Sequence, residues 1–171
     1  MMNAHNVITK MKYDINTFVN KVRVHEGLVL TVYKDTLGID PIGIGRNLQD
    51  RGISKEEFDH MDIPSMDAVY EHGITEEDAY YLATNDIAIV ENELTRAKPG
   101  VYDLAAVRQL IVMDIAFNIG VPRLCKFKKM WAAIEAGDFN TASVEMLDSR
   151  WARQVKSRAT KLSDAMKKGE F

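Results

Sequence analysis

The 171-residue chain has few of the sequence features that indicate a metal site, a disulfide framework or a membrane segment. Its single cysteine, Cys125, excludes an internal disulfide and a multi-cysteine metal site. No apolar run approaches the roughly 20 residues of a membrane-spanning helix, and the N-terminus lacks the apolar core of a secretory signal. The four histidines show no metal-ligand spacing. The sequence therefore predicts a globular protein of cytoplasmic origin, without a metal, a cofactor or stable membrane insertion.

Basic residues are scarce in the first half of the chain and plentiful in the second. Residues 1–95 contain 8 Lys and Arg against 17 Asp and Glu, whereas residues 96–171 contain 14 against 8. The two parts carry −9 and +6, which sum to the formal net charge of −3. A basic half favours a polyanionic partner such as nucleic acid, a lipid surface or a bacterial cell wall, although chance scatter gives the same count. Aromatic residues do not alternate with basic ones, so no nucleic-acid partner is predicted.

The first part of the chain is predicted to combine a helix with a small sheet. Asp14 is a predicted N-cap, apolar residues follow at positions i, i+3, i+4 and i+7, and Gly27 is a predicted terminator. Residues 28–33 alternate as a strand does, residues 36–39 are typical of a turn, and residues 41–45 are predicted as the returning strand. The pattern indicates one helix followed by a β-hairpin.

Helices are predicted for most of the remaining chain. Thr75 and Asp78 form a capping pair at the start of a long helix over residues 75–94, whose apolar residues lie on more than one face. Further helices are predicted over residues 102–119, 126–136, 139–148 and 155–168. The predicted organisation is an N-terminal tail (1–13), an N-terminal α+β lobe (14–74) whose first helix packs with the C-terminal lobe, an interlobe helix (75–95) and a helical C-terminal lobe (96–171).

Two carboxylates are the strongest candidates for chemistry. Glu26 is predicted at the end of the first helix, and Asp35 lies nine residues later, at the predicted end of the first hairpin strand. Such ends, joined by a short turn, can direct two carboxylates into one cleft. Glycosidic bond cleavage needs this pair, because one carboxyl protonates the leaving oxygen while the other activates water or attacks the sugar. The spacing alone also fits two solvated surface acids, in a half of the chain that contains 17 acidic residues.

The segment HEGLVLTVYKDTLGIDPIGIGRNL, residues 25–48, resembles the catalytic segment of phage-type lysozymes, glycoside hydrolase family 24. That family carries E-G-L-x-L-x-x-Y-x-D-T, a short gap and then T-I-G-I-G-H. The spacing is matched without an insertion or deletion, and the likeness covers roughly residues 14–171. The resemblance implies an α+β lysozyme-like fold, in which a small lobe with a β-hairpin sheet is joined by a long helix to a helical lobe.

The resemblance also implies roles for individual residues. Glu26 matches the family's general acid, and Asp35 matches its second carboxylate on the opposite face of the sugar. Arg158 matches an arginine that pairs with the catalytic glutamate. Trp151 matches a tryptophan that packs beneath the site, and Asn118 replaces a glutamine near the floor of the cleft.

Besides Asn118, two positions depart from the family pattern. Pro41 replaces a threonine whose hydroxyl positions the attacking water, and proline has neither a hydroxyl nor an N–H. The neighbouring Asp40 could serve instead only if a bulge turned it inward. Arg46 replaces the family's histidine and is predicted to pair with Asp86. Asp114 lies inside the most apolar predicted helix and needs a partner there.

The function implied by the resemblance is that of a peptidoglycan muramidase. It would hydrolyse the β-1,4 bond between N-acetylmuramic acid and N-acetylglucosamine without a cofactor or metal. The expected setting is lysis of the host cell by a phage: a monomer that accumulates in the host cytoplasm and reaches the periplasm or cell wall after a holin opens the membrane. Pro41 keeps a second interpretation open, in which a lysozyme-fold protein binds peptidoglycan or a partner with little or no hydrolysis.

Overall fold

The computed structural model describes residues 10–171, which form two compact units. The first unit is Asp14–Ala88, and the second is Ile89–Phe171 together with residues 10–13. Helices dominate both, and the first unit also contains a two-stranded antiparallel sheet. The predicted α+β class is therefore confirmed. Over the described range, no helix has both the length and the apolar character needed to cross a membrane.

The elements follow one another with short connections. Those that begin in the first unit are α1 (Ile15–Glu26), β1 (Pro41–Ile42), β2 (Arg46–Asn47), α2 (Leu48–Arg51), α3 (Lys55–Met61), α4 (Met66–His72) and α5 (Glu76–Ala97). The second unit continues with a 3₁₀ segment (Pro99–Asp103), α6 (Ala106–Ile119), α7 (Val121–Cys125), α8 (Lys128–Glu135), α9 (Phe139–Leu147), α10 (Arg150–Val155) and α11 (Ser157–Lys168).

Helix α1 begins and ends where the sequence predicts. The Asp14 carboxylate accepts a hydrogen bond from the Thr17 N–H at 2.8 Å and so caps the first turn. The buried face consists of Phe18, Val19 and Val22. Gly27, at φ 77°, ends the helix and donates its N–H to the Arg23 carbonyl at 2.8 Å. Glu26 is consequently the last residue of α1.

The predicted strands of the hairpin are wrong. The chain reverses between β1 and β2 through Gly43 and Gly45, at φ 65° and 77°, whereas the prediction made residues 41–45 a single strand. Glycine adopts a positive φ without steric strain, so these two residues allow a tight turn within the segment that was predicted as one strand. Residues 28–33 also do not form a strand. They contribute one antiparallel bridge, in which Val29 and Gly43 exchange N–H···O bonds of 2.8 and 2.6 Å.

A further backbone hydrogen bond, from a residue that follows α4, holds the segment before Asp35. The Ile74 N–H donates to the Leu30 carbonyl at 2.9 Å. Gly73 passes so close to this carbonyl that a Cβ at position 73 would lie 2.1 Å from the Leu30 oxygen. A side chain at this point would displace one of the two backbones, so glycine is required here by close approach as well as by its φ of 71°.

Helix α5 opens with the predicted capping pair. The Thr75 N–H donates to the Asp78 carboxylate and the Asp78 N–H donates to the Thr75 hydroxyl, both at 3.0 Å. The boundary between the two units falls within this helix. The predicted division into residues 14–74, 75–95 and 96–171, and the predicted packing of the first helix with the C-terminal lobe, stay predictions.

The second unit has two more helices than the sequence predicts. Helices α8, α9 and α11 correspond to predictions, but α7 and α10 have only five and six residues and are too short for the helical period of about 3.6 residues to repeat visibly. The predicted helix over 102–119 is divided, because Leu104 and Ala105 are extended between the 3₁₀ segment and α6. Residues 109–116 of α6 are all buried, as the prediction of a buried helix required.

Part of the predicted tail is tied to the second unit. The Lys12 N–H donates to the Gln109 side-chain oxygen at 2.7 Å, and its ammonium group donates to the Leu104 carbonyl at 2.9 Å. The buried Tyr13 hydroxyl donates to Glu91 at 2.9 Å. Burial and the adjacent Glu91 carboxylate raise the pKa of Tyr13 above its ordinary value. Residues 1–9 of the predicted tail lie outside the described residues.

Candidate active site

Glu26 and Asp35 lie in the same unit, on the two flanks of the segment that Val29 and Leu30 anchor. Glu26 is the exposed last residue of α1. Its side chain lies beside Gly45 of the hairpin turn, where an added Cβ would come within 3.1 Å of Glu26 Cγ. Gly45 was not among the predicted site residues, although the glycine spacing of the GIG motif was a usable signal.

Asp35 lies in a turn rather than at the end of a strand. Its Oδ1 accepts the N–H groups of Leu37 and Ile39 at 2.8 and 2.9 Å. Its own N–H donates to the Ile39 carbonyl at 3.0 Å, and its carbonyl accepts the Gly38 N–H at 3.0 Å. Within the described chain both hydrogen bonds to the carboxylate fall on Oδ1, and Oδ2 accepts none. The turn thus fixes the direction of the carboxylate and leaves one oxygen available to a water or a sugar.

The predicted Arg46–Asp86 pair is confirmed. Arg46 Nη2 and Nε donate to the two Asp86 oxygens at 2.8 and 3.1 Å. The Arg46 side chain is 1% exposed and that of Asp86 12%, so the pair lies in the interior of the first unit. Arg51 adds a second guanidinium, whose Nε donates to Asp86 Oδ1 at 2.7 Å. The pair joins β2 to α5.

Glu57 completes this cluster and was missed by the sequence analysis. Its two oxygens accept Arg46 Nη1 and Nη2 at 2.7 and 2.9 Å, which is a bidentate pair. They also accept the Ser54 N–H and the Asn85 side-chain amide. Burial by itself would raise the pKa of Glu57, but the bonds from Arg46, Ser54 and Asn85 outweigh it and lower the pKa to about 2. The capping box Ser54-x-x-Glu57 was the available signal.

Pro41 lies in β1, opposite Asn47, and the register of the two strands has no bulge. Asp40 is 5% exposed and is held by the Tyr70 hydroxyl, which donates to its Oδ2 at 2.6 Å. That hydrogen bond raises the pKa of the Tyr70 hydroxyl. Asp40 Oδ1 is buried, and none of the residues 10–171 donates a hydrogen bond to it. The condition under which Asp40 could take the part of a threonine at position 41, a bulge in this strand, is therefore not met among the described residues.

The remaining predicted site residues belong to the second unit. Arg158 donates from Nε and Nη2 to the two oxygens of Asp114, which supplies the partner that the buried aspartate of α6 needed. Trp151 is 3% exposed, and its Nε1 donates to the exposed Asn118 side chain at 3.2 Å. The predicted pairing of Arg158 with Glu26 joins residues of different units and stays a prediction.

In the described part of the chain, no group of three or more His, Cys, Asp or Glu side chains could hold a metal ion. What the first unit offers is a carboxyl at a helix end, a second carboxylate with one oxygen open, and a rigid ion cluster next to the hairpin. An α+β chain with two such carboxylates has the features of a glycoside hydrolase that works by acid and base chemistry.

Comparison with known proteins specifies the family. The chain belongs to the phage lysozyme family, whose model, described as "Phage lysozyme", matches residues 23–167. It is 29% identical over 156 residues to the pre-baseplate central spike protein Gp5 of Enterobacteria phage T4, an alignment that covers 83% of this chain and only 26% of Gp5. It is also 25% and 24% identical to the probable T4-type lysozymes 1 and 2 of Dictyostelium discoideum, with 91% of this chain and 96% of each relative covered.

Family membership confirms the resemblance seen in the sequence and the lysozyme-like α+β fold. It supports a muramidase-type glycoside hydrolase function, with peptidoglycan as the substrate, at the level of the family. The roles of Glu26, Asp35 and the other predicted site residues stay predictions.

Proposed function

We propose that this protein is an endolysin-type muramidase that hydrolyses the β-1,4 bond between N-acetylmuramic acid and N-acetylglucosamine in peptidoglycan. The observation that carries the proposal is the arrangement of Glu26 and Asp35 within one unit of a phage lysozyme family member. Glu26 projects from a helix end, and Asp35 is oriented by two backbone amides with its second oxygen open.

In the proposed reaction the Glu26 carboxyl protonates the glycosidic oxygen as the bond to the leaving sugar breaks. The open oxygen of Asp35 takes a proton from a water that attacks the opposite face of the ring, or attacks that face itself. Such acid and base assistance typically contributes about 10²–10⁴-fold to the rate. Pro41 offers the water no hydrogen bond, so Asp35 orients it nearly alone and the enzyme is active but weakened.

Turbidity clearing of outer-membrane-permeabilised Gram-negative cells tests the proposal. We expect clearing by the wild type, none by Glu26→Gln or Asp35→Asn, and wild-type clearing by Glu77→Gln, an exposed acid at the start of α5. Circular dichroism would show that all four proteins are folded. Mass spectrometry of the released fragments should find new reducing ends on N-acetylmuramic acid. Clearing by Glu26→Gln at the wild-type rate would contradict the assignment.

A second candidate function is kept because of Pro41. In it, the protein binds peptidoglycan, or a partner, with little or no hydrolysis. The two candidates differ in one experiment: incubation with purified cell walls followed by centrifugation. A binder sediments with the walls and releases no soluble fragments, whereas a muramidase releases fragments that carry new reducing ends.

The biological setting is proposed as host cell lysis. The protein would act as a monomer, accumulate in the host cytoplasm and reach the wall after a holin permeabilises the membrane. The likeness to a phage spike protein suggests the alternative that the activity is carried on the virion. Fractionation of infected cells separates these settings, since an endolysin is found free in the lysate and a virion component sediments with purified particles.

A further inference from the structure

A side chain at Gly45 would contact Glu26, whereas a side chain at several other turn glycines would contact nothing. A Cβ at position 45 would lie 3.1 Å from Glu26 Cγ, 3.3 Å from its Cβ and 3.5 Å from its carboxyl carbon. By contrast, Gly27, Gly38 and Gly137 also have positive φ, and a Cβ at any of them would meet no atom within 4 Å. The missing side chain at Gly45 therefore leaves the space in which the side chain of the candidate general acid lies.

The residue after Gly45 fixes this part of the backbone in place. Arg46 makes six hydrogen bonds, to both oxygens of Glu57, to both oxygens of Asp86 and to the carbonyls of Gly52 and Leu82. These partners belong to α3, to α5 and to the loop after α2, so β2 is held from three sides. A guanidinium that is 1% exposed and uses all its nitrogens has very little freedom to move.

We propose that Gly45 is a positioning residue for Glu26, anchored by Arg46, and that its lack of a side chain sets the direction of the Glu26 carboxyl. The inference rests on the proposed muramidase function. Glu26 is exposed at a helix end, where a glutamate otherwise samples several rotamers. The fixed backbone at Gly45 lies about one methyl group away from its Cβ, Cγ and carboxyl carbon, and so limits the rotamers that point in that direction. Catalytic groups gain rate from being held in this way before the substrate arrives.

The decisive variant is Gly45→Ala, measured on soluble peptidoglycan glycan chains. The added Cβ pushes the Glu26 side chain, and a displacement of about 1 Å can cost on the order of 100-fold in rate. Since a contact of 3.1 Å requires a smaller shift, we expect kcat to fall about 10-fold, with KM within about 2-fold of the wild-type value. The control is Gly137→Ala, which introduces the same kind of backbone strain at φ 72° without a contact.

The control separates positioning from stability. Both alanine variants are strained by positive φ and should unfold at lower temperature than the wild type. Only Gly45→Ala should lose turnover. A kcat that is unchanged in Gly45→Ala, a change in KM alone, or an equal loss of kcat in Gly137→Ala would each overturn the inference.

A double-mutant cycle tests the contact without any catalysis. Glu26→Ala removes Cγ and the carboxyl carbon, which lie 3.1 and 3.5 Å from the position of the new methyl group. Gly45→Ala should therefore lower the midpoint of urea unfolding less in the Glu26→Ala background than in the wild type. Gly137→Ala should lower it equally in both backgrounds. If Gly45→Ala alone does not fold, the double variant should recover folding. Equal effects of Gly45→Ala in both backgrounds, or an equally unfolded double variant, overturn the inference.

Failure of the inference and failure of the proposed function are distinguishable. If the wild-type protein does not cleave glycan chains, both the proposed function and the proposed role of Gly45 are wrong. If the wild type and the Gly45→Ala variant are both fully active, the positioning role is wrong and the proposed function is unaffected.

Discussion

Arg158 binds both oxygens of Asp114, so the carboxylate inside the most buried helix of the second unit is neutralised by a cation from α11. The Asp114 side chain is 10% exposed and that of Arg158 16%. A carboxylate at this depth needs a charged or hydrogen-bonding partner, because burial of an isolated ion is costly. The pair therefore joins α6 and α11, two helices that the sequence separates by more than 30 residues.

We expect Asp114→Ala to destabilise the protein by about 2–3 kcal/mol, since it leaves a mostly buried guanidinium without its carboxylate. Exposed pairs contribute only about 0–1 kcal/mol, and this pair lies much closer to the buried limit. The free energy of unfolding from urea titration measures the effect. The double variant Asp114→Leu/Arg158→Met should recover much of the loss. A cost for Asp114→Ala below about 0.5 kcal/mol would mean that the pair is not coupled in solution.

Replacing Arg46 by lysine should destabilise the first unit by about 3 kcal/mol or more. A lysine ammonium cannot bind Glu57 with two parallel bonds and reach Asp86 as well, so at least one buried carboxylate loses its partner. Arg51→Lys is the matched control, because Arg51 contacts Asp86 with a side chain that is 38% exposed. Its cost should stay near 0–1 kcal/mol. Equal unfolding free energies for the two variants would contradict the buried cluster.

The cluster should also make the protein sensitive to acid. Hydrogen bonds from Arg46, Ser54 and Asn85 lower the pKa of Glu57 from 4.5 to about 2 against the opposing effect of burial. A lowered native-state pKa means that the stabilisation is complete above pH 4.5 and is lost as the pH falls through the range from 4.5 to about 2. The contribution is on the order of 3 kcal/mol. Unfolding free energies measured from pH 5 to pH 2 should fall less steeply for Glu57→Gln than for the wild type; parallel curves would exclude this account.

Pro41→Thr should raise kcat with little change in KM. The hydroxyl would give the attacking water a hydrogen bond, and water positioning is a share of the 10²–10⁴-fold that base assistance typically contributes. Pro41→Val is the control, since valine has the branched shape of threonine and no hydroxyl. The first position of a short strand accepts all three residues, so folding should be retained. If threonine is no faster than valine, the water is oriented by other groups.

Local signals predicted much of the fold. The Asp14 cap, the Gly27 terminator and the Thr75–Asp78 capping pair all depend on residues within four positions of one another, and all three appear in the structure. The strand prediction was wrong because residues 28–33 alternate as a strand does, whereas in the structure they pair with the hairpin only through Val29 and Gly43. Pairing depends on distant partners, and alternation alone does not report them.

The candidate site could be predicted only in part for the same reason. The Arg46–Asp86 pair was found through the family pattern, whereas Glu57 was hidden among the many acids of the first half and is recognised only once α3 packs beside β2. The partner of Asp114 lies 44 residues away in α11, and no short-range pattern links the two.

The close passage of Gly73 and Leu30 bears on how the segment between Glu26 and Asp35 opens. Within residues 10–171, the backbone hydrogen bonds that attach this segment to its surroundings are the bridge between Val29 and Gly43 and the bond from Ile74 to Leu30. Because so few bonds hold it, they should break together as one local opening. The amide hydrogens of Val29, Gly43 and Ile74 would then exchange with deuterated solvent at similar rates, although they lie as much as 45 residues apart in the chain.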